Sequence, residues 1–218
     1  MHRALVIKEL RENAGIAALA LLASFYGVTR LTGYELLFFS EVRPPTVPFV
    51  NGWFYTFFIC MAVCLAIGLG LRQSVWESIQ GTYLFLLHRP LSRERIIGTK
   101  LLIGLAIYLI CMLIPLLVYA LWAATPGMHT GPFEWSMTLN CWKVWYASTG
   151  LYLAAFLSGI RPARWFGSRL FPLIAVIPAV SLLMTLPGWR PWELLLLLLL
   201  NGLLVVAILH VSRTRDYP

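Results

Sequence analysis

The side chains best suited to chemistry in this 218-residue chain gather in one stretch, "GTYLFLLHRPLSRERIIGTK" at 81–100. His88, Arg89, Arg93 and Arg95 crowd around Pro90, and Lys100 follows. Cations grouped this way suit contact with acidic or polar groups of a partner, since charge-assisted hydrogen bonds to carboxylates are the strong ones. Catalysis would need a nucleophile–base pair or a metal cluster. The four His, at 2, 88, 129 and 210, are scattered and sit in no motif with Ser, Asp or Glu. "ASTGLYL" at 147–153 does not read as a nucleophile elbow. Cys60, Cys64, Cys111 and Cys141 lie in or beside apolar segments without a CxxC pair, and read as small thiols in helix packing. No residue is assigned a catalytic, cofactor or metal role.

The elements that position this stretch are apolar. The chain is 60% hydrophobic and 12% charged, against about 45–50% and about 25% in soluble domains, so the expected class is an all-α integral membrane protein. Six segments approach the ~20 apolar residues a crossing helix needs: 13–30, 52–71, 101–123, 141–160, 170–187 and 192–211. None alternates with period two, which argues against a barrel. With the N-terminus placed inside, 13 of the 17 Lys and Arg fall on the inner side, so both termini are expected to be cytoplasmic. The net charge of +8 is spread over short loops and implies orientation, not nucleic-acid binding. No charge falls mid-span; Lys143, near an outer end, is expected to snorkel, and Asn201 is the most central strongly polar residue, a candidate intramembrane contact. Pro172 and Pro178 leave open whether span 5 is continuous or re-entrant.

The whole chain, 1–218, reads as a single transmembrane domain with two cytoplasmic features. Residues 1–12, with Lys8, Glu9 and Arg11, form a modest amphipathic helix suited to the inner interface. Residues 74–98 read as helix, break, helix. Ser74 with Glu77 is an S-x-x-E capping pattern that predicts a new helix start, Pro90 ends that helix, and Ser92 caps the next with Glu94 in its first turn.

"KELREN" at 8–13, together with Glu77 and "GT…LLHRPLSRERIIGTK", resembles the type-2 (exporter-class) ABC transporter permeases. Members of that family commonly read K-E-[LW]-R before the first helix and E…GT…LL..P[VL]SR..[IL]..K between the second and third. The matching residues are Lys8, Glu9, Arg11, Glu77, Gly81, Thr82, Leu86, Leu87, Pro90, Ser92, Arg93, Ile96 and Lys100. "LLHRP" departs from the small or polar residues usual before the proline, and the link between spans 5 and 6, "PGWRPWE", is short for the family.

The resemblance implies a dimerising six-helix permease of the bacterial inner membrane, with an interfacial N-terminal helix and a coupling helix within 74–95. That helix would dock on a separate cytoplasmic ATPase through Glu77, Gly81, Thr82, His88, Arg89, Pro90, Ser92, Arg93 and Arg95. ATP and Mg would sit on the ATPase, since this chain carries no G-x-x-x-x-G-K-[ST] loop and is expected to bind no cofactor itself. A second permease copy or a paralogue, and membrane lipids, complete the expected partners; the cargo is not specified, with hydrophobic or lipid-like molecules among the candidates. The alternatives are a non-transporting anchor or assembly subunit and, behind it, an intramembrane enzyme.

Overall fold

A computed structural model describes residues 2–32, 47–50, 52–80, 92–127, 132–161, 166–186 and 189–214. Each expected span condenses into a helix, because an apolar segment removed from water must satisfy its backbone hydrogen bonds internally. The helices are α1 (His2–Thr32), α2 (Trp53–Gln80), α3 (Arg93–Ala124), α4 (Leu139–Ile160), α5 (Phe166–Thr185) and α6 (Pro191–Thr214). A 3₁₀ turn, Trp135–Thr138, leads into α4. Pro191 opens α6, where a missing N–H is harmless. No strand occurs among the described residues.

Five helices, α1, α2, α3, α5 and α6, are long and apolar enough to cross a membrane, which is compatible with an integral multi-pass protein. The exception, α4, is the centre of the bundle. It packs on α2 over the longest interface of the molecule and also on α3, α5 and α6, while α1 packs chiefly on α3. Every residue from Ala147 to Ile160 is buried. A helix shielded by its neighbours need not be apolar to face lipid, so α4 can carry Lys143, Ser148, Thr149 and Ser158. The outer helices show the complement: Leu195, Leu198, Leu199 and Leu203 of α6 and Leu19, Leu22 and Phe25 of α1 are exposed.

Close approach explains the α2–α4 seam. Ala62, Ala66, Gly70 and Ser74 recur every four residues along α2 and are all buried. A Cβ on Gly70 would strike the Tyr152 carbonyl and the Ala155 side chain, so only glycine lets the backbones meet there. Ser74 packs on Gly159 and donates its hydroxyl to the Gly70 carbonyl at 2.6 Å. This corrects the expected helix start at Ser74: α2 runs through it without a break, and the hydroxyl bonds back along its own helix instead of capping a new one. Pro172 and Pro178 lie inside one helix, so α5 is continuous from Phe166 to Thr185. Residues 1–12 form no separate element either: from His2 onward they are the first turns of α1, which continues unbroken to Thr32.

Successive helices alternate in direction. The starts of α1 and α3 and the end of α6 share one end of the bundle, tied by Glu9–Lys100 and Arg213–Glu94. The starts of α2, α4 and α6 share the other, tied by Tyr55 Oη donating to the Met184 carbonyl and by Lys143–Glu193. The first and last described residues therefore lie at the same end, called here the terminal end.

Candidate functional site

Gly81, Thr82, His88, Arg89 and Pro90 lie outside the described residues, as does the side chain of Glu77 in the last turns of α2. What the structure describes is the frame around that connector, at the terminal end. Ser92 takes the N-cap position of α3 with extended backbone, and its carbonyl accepts from the amides of Arg95 at 3.0 Å and Ile96 at 3.2 Å. Its hydroxyl makes no capping bond. Arg93 and Arg95 are exposed. Glu94 accepts from Arg213 Nε at 2.6 Å, fastening the end of α6 to the start of α3.

Near the start of α3 lies a buried charge pair. Lys100 Nζ lies 2.7 Å from Glu9 Oε1, and each side chain is 1% exposed. Leu5, Glu9 and Asn13 form the buried face of the first turns of α1 by i, i+4 spacing, with Arg3 and Arg11 exposed on the other side. Lys8 lies between and pairs with Glu12 at 3.5 Å. Of the three interfacial residues expected from sequence, Lys8 and Arg11 therefore reach the surface and Glu9 does not.

The pair sits in a polar network that joins four helices. Asn13 Nδ2 donates to the Glu9 carbonyl at 2.8 Å. Gln73 Nε2 of α2 donates to the Lys100 carbonyl at 3.3 Å. The Tyr152 hydroxyl of α4 lies 2.7 Å from Gln73 Oε1 and 3.2 Å from the Leu101 carbonyl, so its one proton is shared between two acceptors. Gly104 of α3 faces both Gln73 and the Tyr152 hydroxyl, and a Cβ there would collide with each. In a low-dielectric interior a charge is tolerated only when paired and hydrogen-bonded, and losing one partner strands the other.

A second buried pair closes the opposite end. Lys143 Nζ of α4 lies 2.5 Å from Glu193 Oε2 of α6, with both side chains 2% exposed, and also donates to the Leu186 carbonyl at 2.9 Å. This corrects the expectation that Lys143 snorkels. A snorkelling ammonium needs a path along the helix to water, and α4 is walled in by its neighbours. Trp189 Nε1 donates to the Leu139 carbonyl at 2.8 Å, holding the α5–α6 link to the start of α4. An aromatic layer fills the same end, with Phe54 and Tyr119 stacked at 4.0 Å and Phe49 edge-on to both. Asn201 Nδ2 donates to Thr149 Oγ1 at 2.9 Å, an α6–α4 hydrogen bond in the interior.

The pairing escaped sequence reasoning because Glu9 and Lys100 flank spans and so look like loop charges, while Lys143 and Glu193 sit at span ends, where a charge is expected to reach water. One signal was available: Lys100 is bracketed at four residues by Ile96 and Gly104 of a buried face, and Glu9 follows Leu5 at the same spacing. Among the described residues no three His, Cys, Asp or Glu side chains come together to hold a metal ion. Comparison of the chain with protein-family models, curated proteins and solved structures returned no match.

Proposed function

We propose that this chain is the membrane-spanning subunit of an ATP-driven transporter of the type-2 ABC class, with all six helices crossing a cytoplasmic membrane and both termini inside. A separate ATPase docks on the element at 74–95, the end of α2, the connector and the start of α3, and supplies the energy. The permease works as a pair, with itself or with a paralogue. The single observation that carries this reading is the Glu9–Lys100 pair. The two stretches that resemble the family, Lys8–Arg11 and Glu77–Lys100, are far apart in sequence, and their members Glu9 and Lys100 form a buried ion pair between the first turns of α1 and α3. A pull on the connector would thereby reach α1 through Lys100 and α4 through Gln73 and Tyr152.

The cargo on this reading is hydrophobic or lipid-like. Support comes from a groove of about 230 Å³ between α1 and α3, lined by Leu21, Leu22, Phe25, Val28, Ile114, Pro115 and Val118. Purification in mild detergent, followed by identification of what accompanies the chain, tests the class. A co-purifying soluble chain with a phosphate loop and ATPase activity is expected. Repeated recovery of the chain with no ATPase would overturn the reading and favour an anchoring subunit.

A further inference from the structure

The first turns of α1 present a surface to which the transporter reading gives interfacial seating but no specific ligand. At 1.5 Å per residue, the 31 residues of α1 extend about 46 Å, some 16 Å more than the ~30 Å hydrocarbon core. The surplus lies at the N-terminal side, because His2, Arg3, Lys8, Glu9, Arg11, Glu12 and Asn13 all fall there and residues 14–28 are almost wholly apolar or small. About ten residues of α1 therefore stand at headgroup level.

Arg3, Ile7, Leu10, Arg11 and Ala14 share one helical face by i, i+4, i+7, i+8, i+11 spacing, and all five are exposed. Ile7 is 64% and Leu10 47% exposed, so this face mixes apolar side chains with guanidinium groups. The opposite face, Leu5, Glu9 and Asn13, is buried against the bundle. Arg72 of α2 donates to the Glu12 carbonyl at 2.7 Å and so stands level with Arg11 along the bundle. The nearby carboxylates are already engaged: Glu9 by Lys100, Glu12 by Lys8 and Glu94 by Arg213. The exposed positive charge is left facing outward.

We propose that this face binds anionic phospholipid, with Ile7 and Leu10 in the upper acyl region and Arg3, Arg11 and Arg72 on the headgroup phosphates. A guanidinium fork matches phosphate geometry, and apolar side chains beside cations at a helix surface are the signature of interfacial seating. The proposal stands independently of any ATPase.

Spin-labelled phosphatidylglycerol and phosphatidylcholine in phosphatidylcholine vesicles containing the purified chain provide the test, read as motionally restricted lipid. Phosphatidylglycerol should be held at least about fivefold more tightly, since each surface cation supplies ~1 kcal/mol. The preference should collapse in R3Q/R11Q, persist in R190Q (an exposed cation of the opposite end), and fade at high salt. Arg3 and Arg11 are exposed, so their neutralisation should leave the bundle folded; the salt dependence of the unaltered chain tests the same point without mutation. Equal restriction of both lipids, or a preference undiminished in R3Q/R11Q, would overturn the proposal, and equal restriction would point to a protein covering this face.

Discussion

At the terminal end, Glu9 and Lys100 join α1 to α3 and are bonded onward through Gln73 and Tyr152 into α2 and α4. At the opposite end, Lys143 and Glu193 join α4 to α6, and among the described residues Lys143 also donates to the Leu186 carbonyl, beside a layer of stacked aromatic rings. Both are buried charge pairs near helix ends, yet they differ in reach. The first connects helices on both sides of the 81–91 connector, while the second latches a short link shut. Isolated buried pairs are weak evidence of stability, because desolvation offsets attraction. The difference in reach is therefore the informative feature: a pair embedded in a four-helix network can carry movement between helices, and a local latch can only resist opening.

Breaking the pairs should give the largest effects. Lys100→Met and Lys143→Met each remove a cation from a buried carboxylate, and each should cost about 3–5 kcal/mol in the thermal or denaturant unfolding of the chain in detergent. The doubles Glu9→Leu/Lys100→Met and Glu193→Leu/Lys143→Met should recover most of that loss. Hydrogen exchange separates the two ends: Lys100→Met should expose amides in α1, α2 and α3, whereas Lys143→Met should loosen only the starts of α4 and α6. Identical exchange patterns would erase the distinction between network and latch.

A smaller effect is expected at Gly104, where alanine must push aside Gln73 and Tyr152. Gly104→Ala should cost about 1–3 kcal/mol, as overpacked interiors do, and Gly104→Ala/Tyr152→Phe should lose less than the sum of its two single changes. Full additivity would mean that Gly104 and Tyr152 are not in contact. The smallest effect belongs to the exposed Arg213–Glu94 pair at the same end. Arg213→Gln should shift stability by less than about 1 kcal/mol, since solvent screens such pairs.

The helices were legible because apolar length is a local property: each of the six expected segments lies largely within one helix. The special standing of α4 was not visible in its span alone. Its segment read as a span like the other five, and only the surrounding helices explain its polar residues. Lys143 was misplaced for the same reason, since snorkelling depends on what flanks the helix. Ser74 shows a different limit. The S-x-x-E pattern is a capping signal only where a helix begins, and inside a continuous helix the same serine bonds to the carbonyl four residues back. Asn201 was legible as an interior hydrogen-bonding residue, although Thr149 as its partner was not. The Glu9–Lys100 contact required the fold, because nothing local to either residue names the other.

Docking at the charged corner is tested most directly by charge reversal at the two exposed arginines that begin α3. Arg93→Glu/Arg95→Glu leaves the Glu9–Lys100 network untouched, so the chain should still reach the membrane in normal amount. The complex purified in mild detergent should then lose at least about tenfold of its associated ATPase activity, the ~1.4 kcal/mol equivalent of a weakened charged interface. Unchanged ATPase activity and unchanged partner recovery in this double variant would contradict docking at this corner.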